Sequence, residues 1–316
     1  MQTLTLNKTD LTISRIGLGG LPFGGHYGQV GRFECVRTVH AAVEGGITFF
    51  DTSPSYGGGI AEEILVEALG SEIDKVVIAT KIGAGIDSAG HFWSLNNRAN
   101  TLRQVEQSLM RLHREQVDIY FIPGDDPTTP IGETVTTMEE LRSRGRIRFI
   151  GYCTSNGDLL REAMKHGRID VVQAPYNMLC RQIESQLLPF CRAANIPIIA
   201  CEPLCRGLLT GKLHRNSSFD FDDMRVEDRR FRGEQFRRNI ESVNRLRTLA
   251  EQEGLSLVQL AIGWALQNPA VSAVICGARS KLQIRQSIIA SAVALTPEQV
   301  MAIDQIVGTD VLQQAE

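Results

Sequence analysis

A chain of 316 residues with a formal net charge of -3 and 43% apolar side chains can build a large core, which excludes a disordered chain or a small stapled scaffold. Its 22% charged residues nearly balance in sign, against a dedicated nucleic-acid binder with its strongly basic face. By length it holds either two average domains or one α/β barrel, which commonly runs to ~250 residues or more.

The stretch 4–13 reads as two short strands around Asn7, Lys8, Thr9 and Asp10, a hairpin placed to plug the floor of a barrel. From there short apolar runs alternate with helix-period segments. The strand-like runs are 16–18, 47–50, 76–79, 119–122, 147–150, 171–173, 198–201 and 273–276. Each is rich in β-branched or aromatic residues and nearly continuous in apolar character, as parallel strands covered on both faces are. Ile64, Leu65, Ala68 and Leu69 fall at helical spacing in 61–69, as do Leu102, Val105, Leu109 and Leu112 in 101–112. Helices over 139–144, 158–165 and 182–194 continue the rhythm, with stops at Gly145, Gly167 and Asn195. Eight strands each followed by a helix make a (β/α)8 TIM barrel, here a single domain over residues 1–316 with no repeat or linker to divide it. Segment 219–239, dense in Arg, Asp and Glu, interrupts the unit after strand seven. It is either a substrate loop on the C-terminal face of the barrel or a solvated charged loop.

Barrel chemistry sits at the C-terminal ends of strands. There the second strand runs into Asp51-Thr52-Ser53-Pro54-Ser55-Tyr56-Gly57, and the third into Ala79-Thr80-Lys81. A phenol of ordinary pKa near 10 is a poor acid or base at neutral pH; a nearby ammonium lowers that pKa, and a carboxylate holds the ammonium charged and oriented. Tyr56, Lys81 and Asp51 therefore form a candidate set for passing a proton to a carbonyl oxygen or taking one from an alcohol. The competing reading is a structural ion pair of Asp51 and Lys81 beside a packed aromatic.

The stretches GGITFFDTSPSYGGGIAEEILVEAL, VVIATKIG, SLMRLHREQVDIYFI, RSRGRIRFIG, VVQAPYNML, PLCRGLLTGKL and ICGARSKLQIRQS, in this order, resemble the aldo-keto reductase superfamily over nearly the whole chain. The resemblance is greatest to the branch of bacterial sugar and aldehyde dehydrogenases and potassium-channel β subunits. It implies a (β/α)8 barrel that binds NAD(P)H without a Rossmann domain and moves a hydride to or from a carbonyl carbon. It further implies Tyr56 as general acid/base, Lys81 as its partner, Asp51 behind Lys81, and Gln173 on the nicotinamide carboxamide. Gly277, Ala278, Arg279 and Ser280 match the family's phosphate-binding turn, where backbone amides at a helix start favour a phosphate. Arg279 suits a ribose 2′-phosphate, hence NADPH ahead of NADH. Gln283 and Ser287 fall at adenosine contacts, Ser287 in place of the more usual Asn.

The pattern breaks at the end of strand four, where the family carries a His. Counting forward from Asp118 puts Pro123 there; counting back from Asp126 and Pro127 puts Asp125 there. Proline donates nothing, and losing one such donor costs ~2.7 to 4 kcal/mol, roughly 10² to 10³ in rate. Three explanations stay open: reduction of an activated C=C bond, Asp125 in the histidine's role, or a cofactor-binding regulatory subunit with little catalysis. Strand five ends in Gly151-Tyr152-Cys153-Thr154, with Thr154 replacing an Asn amide contact; strand seven ends in Cys201-Glu202-Pro203-Leu204, without the usual stacking residue.

Cys153, Cys201, Cys205 and Cys276 gather near the barrel mouth, either as a thiol cluster or as small buried hydrophobes. No metal-ligand spacing is present. His26 lies in the loop after strand one, lining a substrate cleft or simply exposed; His40, His113 and His166 read as surface residues. Seven scattered cysteines, no signal segment and no apolar run of ~18 residues point to a cytoplasmic protein without a membrane span. Its partner is a small carbonyl or alcohol, sugar-like or anionic if Arg229, Arg230 and Arg232 face it. The choice between monomer and homo-oligomer stays open.

Overall fold

A computed structural model describes residues 1–86 and 92–308. Its strands are β1 (Thr3–Thr5), β2 (Thr12–Ser14), β3 (Ile16–Gly19), β4 (Phe49–Asp51), β5 (Val77–Lys81), β6 (Ala84–Ile86), β7 (Phe92–Ser94), β8 (Val117–Ile122), β9 (Ile147–Cys153), β10 (Val171–Pro175), β11 (Ile198–Cys201) and β12 (Val271–Gly277). The helices are α1 (Arg32–Glu44), α2 (Ile60–Leu69), α3 (Arg98–Leu112), α4 (Ile131–Ser143), α5 (Gly157–Met164), α6 (Leu187–Ala193), α7 (Gly233–Gln252), α8 (Leu257–Gln267), α9 (Lys281–Ala290) and α10 (Pro297–Val307). Strands β3, β4, β5, β8, β9, β10, β11 and β12 close into a parallel barrel, the (β/α)8 architecture expected from the alternation of runs.

Side-chain parity sorts the strands. Phe49, Ala79, Ile119, Phe121, Val171, Ile199, Ala273 and Ile275 fill the barrel interior, while Phe50, Ile78, Tyr120, Ile122 and Val172, one residue out of phase, pack against the helices. This is the two-residue period of a pleated strand with both faces buried. Two interior phenylalanines fit because neighbouring strands carry glycine: a Cβ on Gly17 would lie 2.6 Å from Phe49, and one on Gly151 2.3 Å from Phe121. Strands β1 and β2 form the expected hairpin, and Leu6, Leu11 and Ile13 complete the interior cluster.

Differences from the sequence reading have local causes. The helix expected over 182–194 is a short 3-10 turn, Gln182–Glu184, followed by α6. Pro189 lies in the first turn of α6, where its missing N–H costs nothing, but its ring would clash with the carbonyl of residue 185 in a longer helix. Helix α4 begins eight residues before the expected 139, at Ile131, where the β-branched stretch Thr134-Val135-Thr136-Thr137 weakens the helical signal. The ribbon β6–β7 was not legible at all.

Candidate active site

The interior layer of apolar side chains ends one strand repeat below the mouth. The next inward positions are Asp51 on β4, Lys81 on β5, Pro123 just past β8, Cys153 on β9, Gln173 on β10 and Cys201 on β11, all lining one cavity of about 750 Å³. Parity alone thus sets these six side chains over an apolar interior.

Lys81 Nζ donates to both oxygens of Asp51, at 2.7 and 2.8 Å, and to the Thr52 carbonyl at 3.1 Å. Gln173 Nε2 donates to Asp51 Oδ1 at 3.0 Å. Both charged groups are buried, so each is the other's compensation. Burial works against the Lys81 charge, yet Asp51 and Tyr56 hold its pKa above the usual lysine range. Tyr56 lines the same cavity, with Lys81 Nζ 5.4 Å from its ring centroid.

The Tyr56 loop owes its shape to glycine. Gly57, Gly58 and Gly59 have φ of 65°, 67° and 100°, which carry the chain from β4 into α2 through backbone that L side chains rarely adopt. Gly24 lies against this loop: a Cβ there would sit 2.5 Å from Gly57 N. His26 packs edge-on to Tyr56, ring centroids 6.0 Å apart, and its Nε2 lies 3.3 Å from the Ser55 carbonyl. Burial lowers its pKa, with the Ser55 contact opposing.

One expectation about Tyr56 is corrected. Its phenol is held above the usual range, because burial outweighs the Lys81 charge and Asp51 pushes in the same direction as burial. An ammonium clamped by a carboxylate is half of a nearly neutral pair, so its pull on the phenol is reduced. Tyr56 is therefore fully protonated at neutral pH.

Asp125 does not join the ring. Tyr152 Oη donates to its Oδ1 at 2.5 Å, and Tyr152 occupies an outward position on β9, packed in the layer between barrel and helices. The carboxylate is drawn away from the cavity, whose lining contains Pro123 and not Asp125.

Along the other wall, Thr154, Gly277, Arg279, Gln283 and Ser287, all named from the sequence, line the cavity. Ala278 and Ser280 do not. Ala278 is buried, and Ser280 is the N-cap of α9, its side chain accepting from Gln283 N. Arg279 Nη2 donates to the Gln29 carbonyl at 3.2 Å, leaving other guanidinium N–H groups uncommitted in that bond. Leu204, Arg206, Gly207, Thr210, Lys212 and Gln286 also line the cavity and were missed as site residues. The signal was in the run Pro203-Leu204-Cys205-Arg206-Gly207-Leu208-Leu209-Thr210-Gly211-Lys212, where Gly, Thr and Lys together suit an anionic ligand.

The inserted segment reaches the cavity through Met224 and Arg225. Met224 N donates to the His26 carbonyl at 3.0 Å, and the Arg225 guanidinium lies 5.3 Å from the Tyr27 ring centroid. The arginines expected to meet substrate are otherwise engaged. Arg230 pairs with Glu202 at 2.8 Å and with Asp228 at 2.6 Å; Arg232 pairs with Glu227 at 2.8 Å. Arg229 is outside the cavity lining. Burial opposes the Glu202 charge, but Arg206 and Arg230 hold its pKa below the usual range.

Cys153, Cys201 and Cys276 line the cavity, and all seven cysteines are unpaired. Burial pushes Cys153 and Cys276 up to about 12 and Cys201 well above the ordinary thiol value, so they stand as neutral thiols. Among the described residues, no three His, Cys, Asp or Glu side chains are grouped to hold a metal ion.

The model of the Aldo/keto reductase family matches residues 15–308. The chain belongs to this family. The NADH-specific methylglyoxal reductase of Escherichia coli is 32% identical over 306 residues, 92% of this chain and 93% of its own. A probable voltage-gated potassium channel subunit beta of Oryza sativa subsp. japonica is 31% identical over 332 residues, 97% of each. Among solved structures, the glycerol dehydrogenase of Gluconobacter oxydans superposes with a TM-score of 0.87 at 32% identity, covering 99% of this chain and 97% of that one.

Members of the family use a nicotinamide cofactor, and the cavity fits one. One cavity of about 750 Å³ is lined both by Tyr56, Lys81 and Gln173 and by Lys212, Arg279, Gln283 and Ser287, so an amide contact and cationic side chains for an anionic cofactor share a single space.

Proposed function

We propose that this chain is an NADP(H)-dependent carbonyl reductase, or the reverse alcohol dehydrogenase, with Tyr56 as proton donor. The observation that carries the reading is the convergence of Asp51, Lys81 and Tyr56 on one cavity that also holds Gln173 and Arg279. The bound nicotinamide would supply or accept the hydride. The chain's own residues do the rest. Tyr56, protonated at neutral pH, gives its proton to the developing alkoxide at the substrate oxygen. Lys81, held charged by Asp51, stabilises the phenolate that remains. Gln173, Thr154, Lys212 and Arg279 orient the cofactor, Arg279 favouring a 2′-phosphate. Gly277 and the backbone amides of Ala278, Arg279 and Ser280, which lead into α9, would take a cofactor phosphate, and Gln283 and Ser287 would meet the adenosine.

The substrate class is a small oxygenated carbonyl. The names of the methylglyoxal reductase and the glycerol dehydrogenase support that scale, and the first of them is NADH-specific, which makes the 2′-phosphate preference the part to test. Seven free thiols suit a cytoplasmic setting.

Pro123 in the cavity wall favours a second reading: the site either reduces an activated C=C bond, which depends less on a donor at that place, or holds NADPH as a regulatory ligand, as the channel-subunit relative makes reasonable. Single-turnover oxidation of bound NADPH across carbonyls and enones separates the cases. Carbonyl turnover that Tyr56→Phe lowers by ~10² to 10⁴, with NADPH affinity unchanged, supports the main reading; equal turnover in the two proteins removes Tyr56 from the mechanism.

A further inference from the structure

Glu62, in the first turn of α2, has no exposed surface. A carboxylate so placed must be matched by charge and hydrogen bonds. Its Oε1 accepts from Thr80 Oγ1 at 2.7 Å, and its Oε2 from Arg111 Nε at 2.5 Å. Neither partner is remote from the chemistry. Thr80, also fully buried, directly precedes Lys81 on β5. The Arg111 side chain lies on the backbone of Gly59, three residues after Tyr56: a Cβ there would meet Arg111 Nε at 2.6 Å and Cδ at 2.7 Å. The turn after Tyr56 is thus held from two sides, by the Gly24 backbone and by Arg111, and the second support leads through Glu62 to the strand that carries Lys81.

An adjoining feature underlines the polarity of this spot inside an otherwise apolar layer. The Tyr120 hydroxyl is buried without a partner among the described residues, on the β8 residue in register with Thr80. A polar cluster costs stability in such a layer when apolar packing would serve.

We propose that Glu62, acting through Arg111 and Thr80, is a positioning residue for the reaction, setting the Tyr56 hydroxyl against the Lys81 ammonium. This rests on the assignment of Tyr56 as proton donor. Neither Glu62 nor Arg111 lines the cavity, so their effect passes entirely through geometry, to which proton transfer is steeply sensitive.

The test is Glu62→Gln in the full chain. The amide can turn its oxygen to Arg111 and its NH2 to the Thr80 hydroxyl, so both contacts can persist, but the carboxylate charge that holds the Arg111 guanidinium on Gly59 is gone, which loosens that support. Expected are a kcat about 10²-fold lower, as for a reacting group displaced by about 1 Å, a Kd for NADPH within about twofold of wild type, and a displaced Tyr56 limb in the pH profile of kcat. A crystal structure of the variant should show the Lys81 Nζ to Tyr56 ring separation moved from 5.4 Å. Wild-type kcat and pH profile in the folded variant would overturn the proposal, as would kcat and NADPH binding falling together with the folded fraction. Should Glu62→Gln fail to fold, the apolar pair Glu62→Leu with Arg111→Met removes both charges at once. Lowered kcat with intact NADPH binding then supports the positioning role, and wild-type kcat overturns it. If the wild-type protein turns over no carbonyl, the functional assignment fails by itself, and the variant's crystal structure still decides the geometry.

Discussion

On one wall of the cavity, Asp51, Tyr56 and Lys81 come from the ends of two adjacent strands and a glycine turn, and their polar contacts run to buried partners. On the other, residues 202–232 form loops held by a largely buried lattice of Glu202, Arg206, Asp228 and Arg230, with positive φ at Glu202, Cys205, Arg206 and Gly207. The first wall has a single arrangement, because moving either Asp51 or Lys81 strands a buried charge. The second is redundant: Glu202 keeps one arginine when it loses the other. The buried Asp51–Lys81 pair therefore sits where the barrel is least deformable, and the Glu202 lattice sits in loops that can adjust.

Lys81→Met is the strongest way to break this comparison. It leaves Asp51 buried with only Gln173 for support, and should cost about 3 to 5 kcal/mol of stability as well as turnover. Arg230→Met leaves Glu202 with Arg206 and should cost clearly less. Thermal or urea unfolding of the pair checks it, and equal losses would show the two walls to be alike. Next, Pro123→His returns a donor to the ring of inward positions and should raise carbonyl turnover by up to ~10²; an unchanged rate in a folded variant would mean that the site never needed one. Smaller again, Arg279→Ala should weaken NADPH binding by about tenfold and leave NADH nearly unaffected, as fluorescence titration with both cofactors would show.

The least effect concerns the loop that carries Pro123. Burial works against the Asp126 carboxylate, but bonds from Thr128 Oγ1, Asn96 N and Thr128 N pull its pKa down to about 2. A carboxyl lowered in the folded state adds stability above its unfolded pKa of about 3.9 and loses it as pH falls toward 2. The Tm gap between wild type and Asp126→Asn should thus be widest near neutrality and close between about pH 4 and 2.

Much of this was readable from residues in order. Strand ends need only the chain, so Asp51 and Lys81 at the mouth followed from where their runs stopped, while Gln173 was named from the family resemblance. Pro123 was visible as a break only against the pattern of that family. Asp125 was not decidable, since whether a residue past a strand end turns inward depends on what waits outside; here the Tyr152 hydroxyl does. The arginines of the insertion posed the same problem. Their charges suggested a ligand, and Glu202 and Asp228, distant or acidic neighbours without an obvious pairing, had already claimed Arg230.

By itself the sequence determined the eight-stranded barrel and placed Asp51 and Lys81 at the ends of adjacent strands with Tyr56 in the loop beside them, because period and strand ends are local properties of the chain. Only the tertiary structure decided the sign of the Tyr56 shift, the fate of Asp125 and the tie from Glu62 to the Tyr56 turn. Those depend on burial and on which charges meet across elements, and electrostatic effects in a low-dielectric interior are set by distances that no linear pattern encodes.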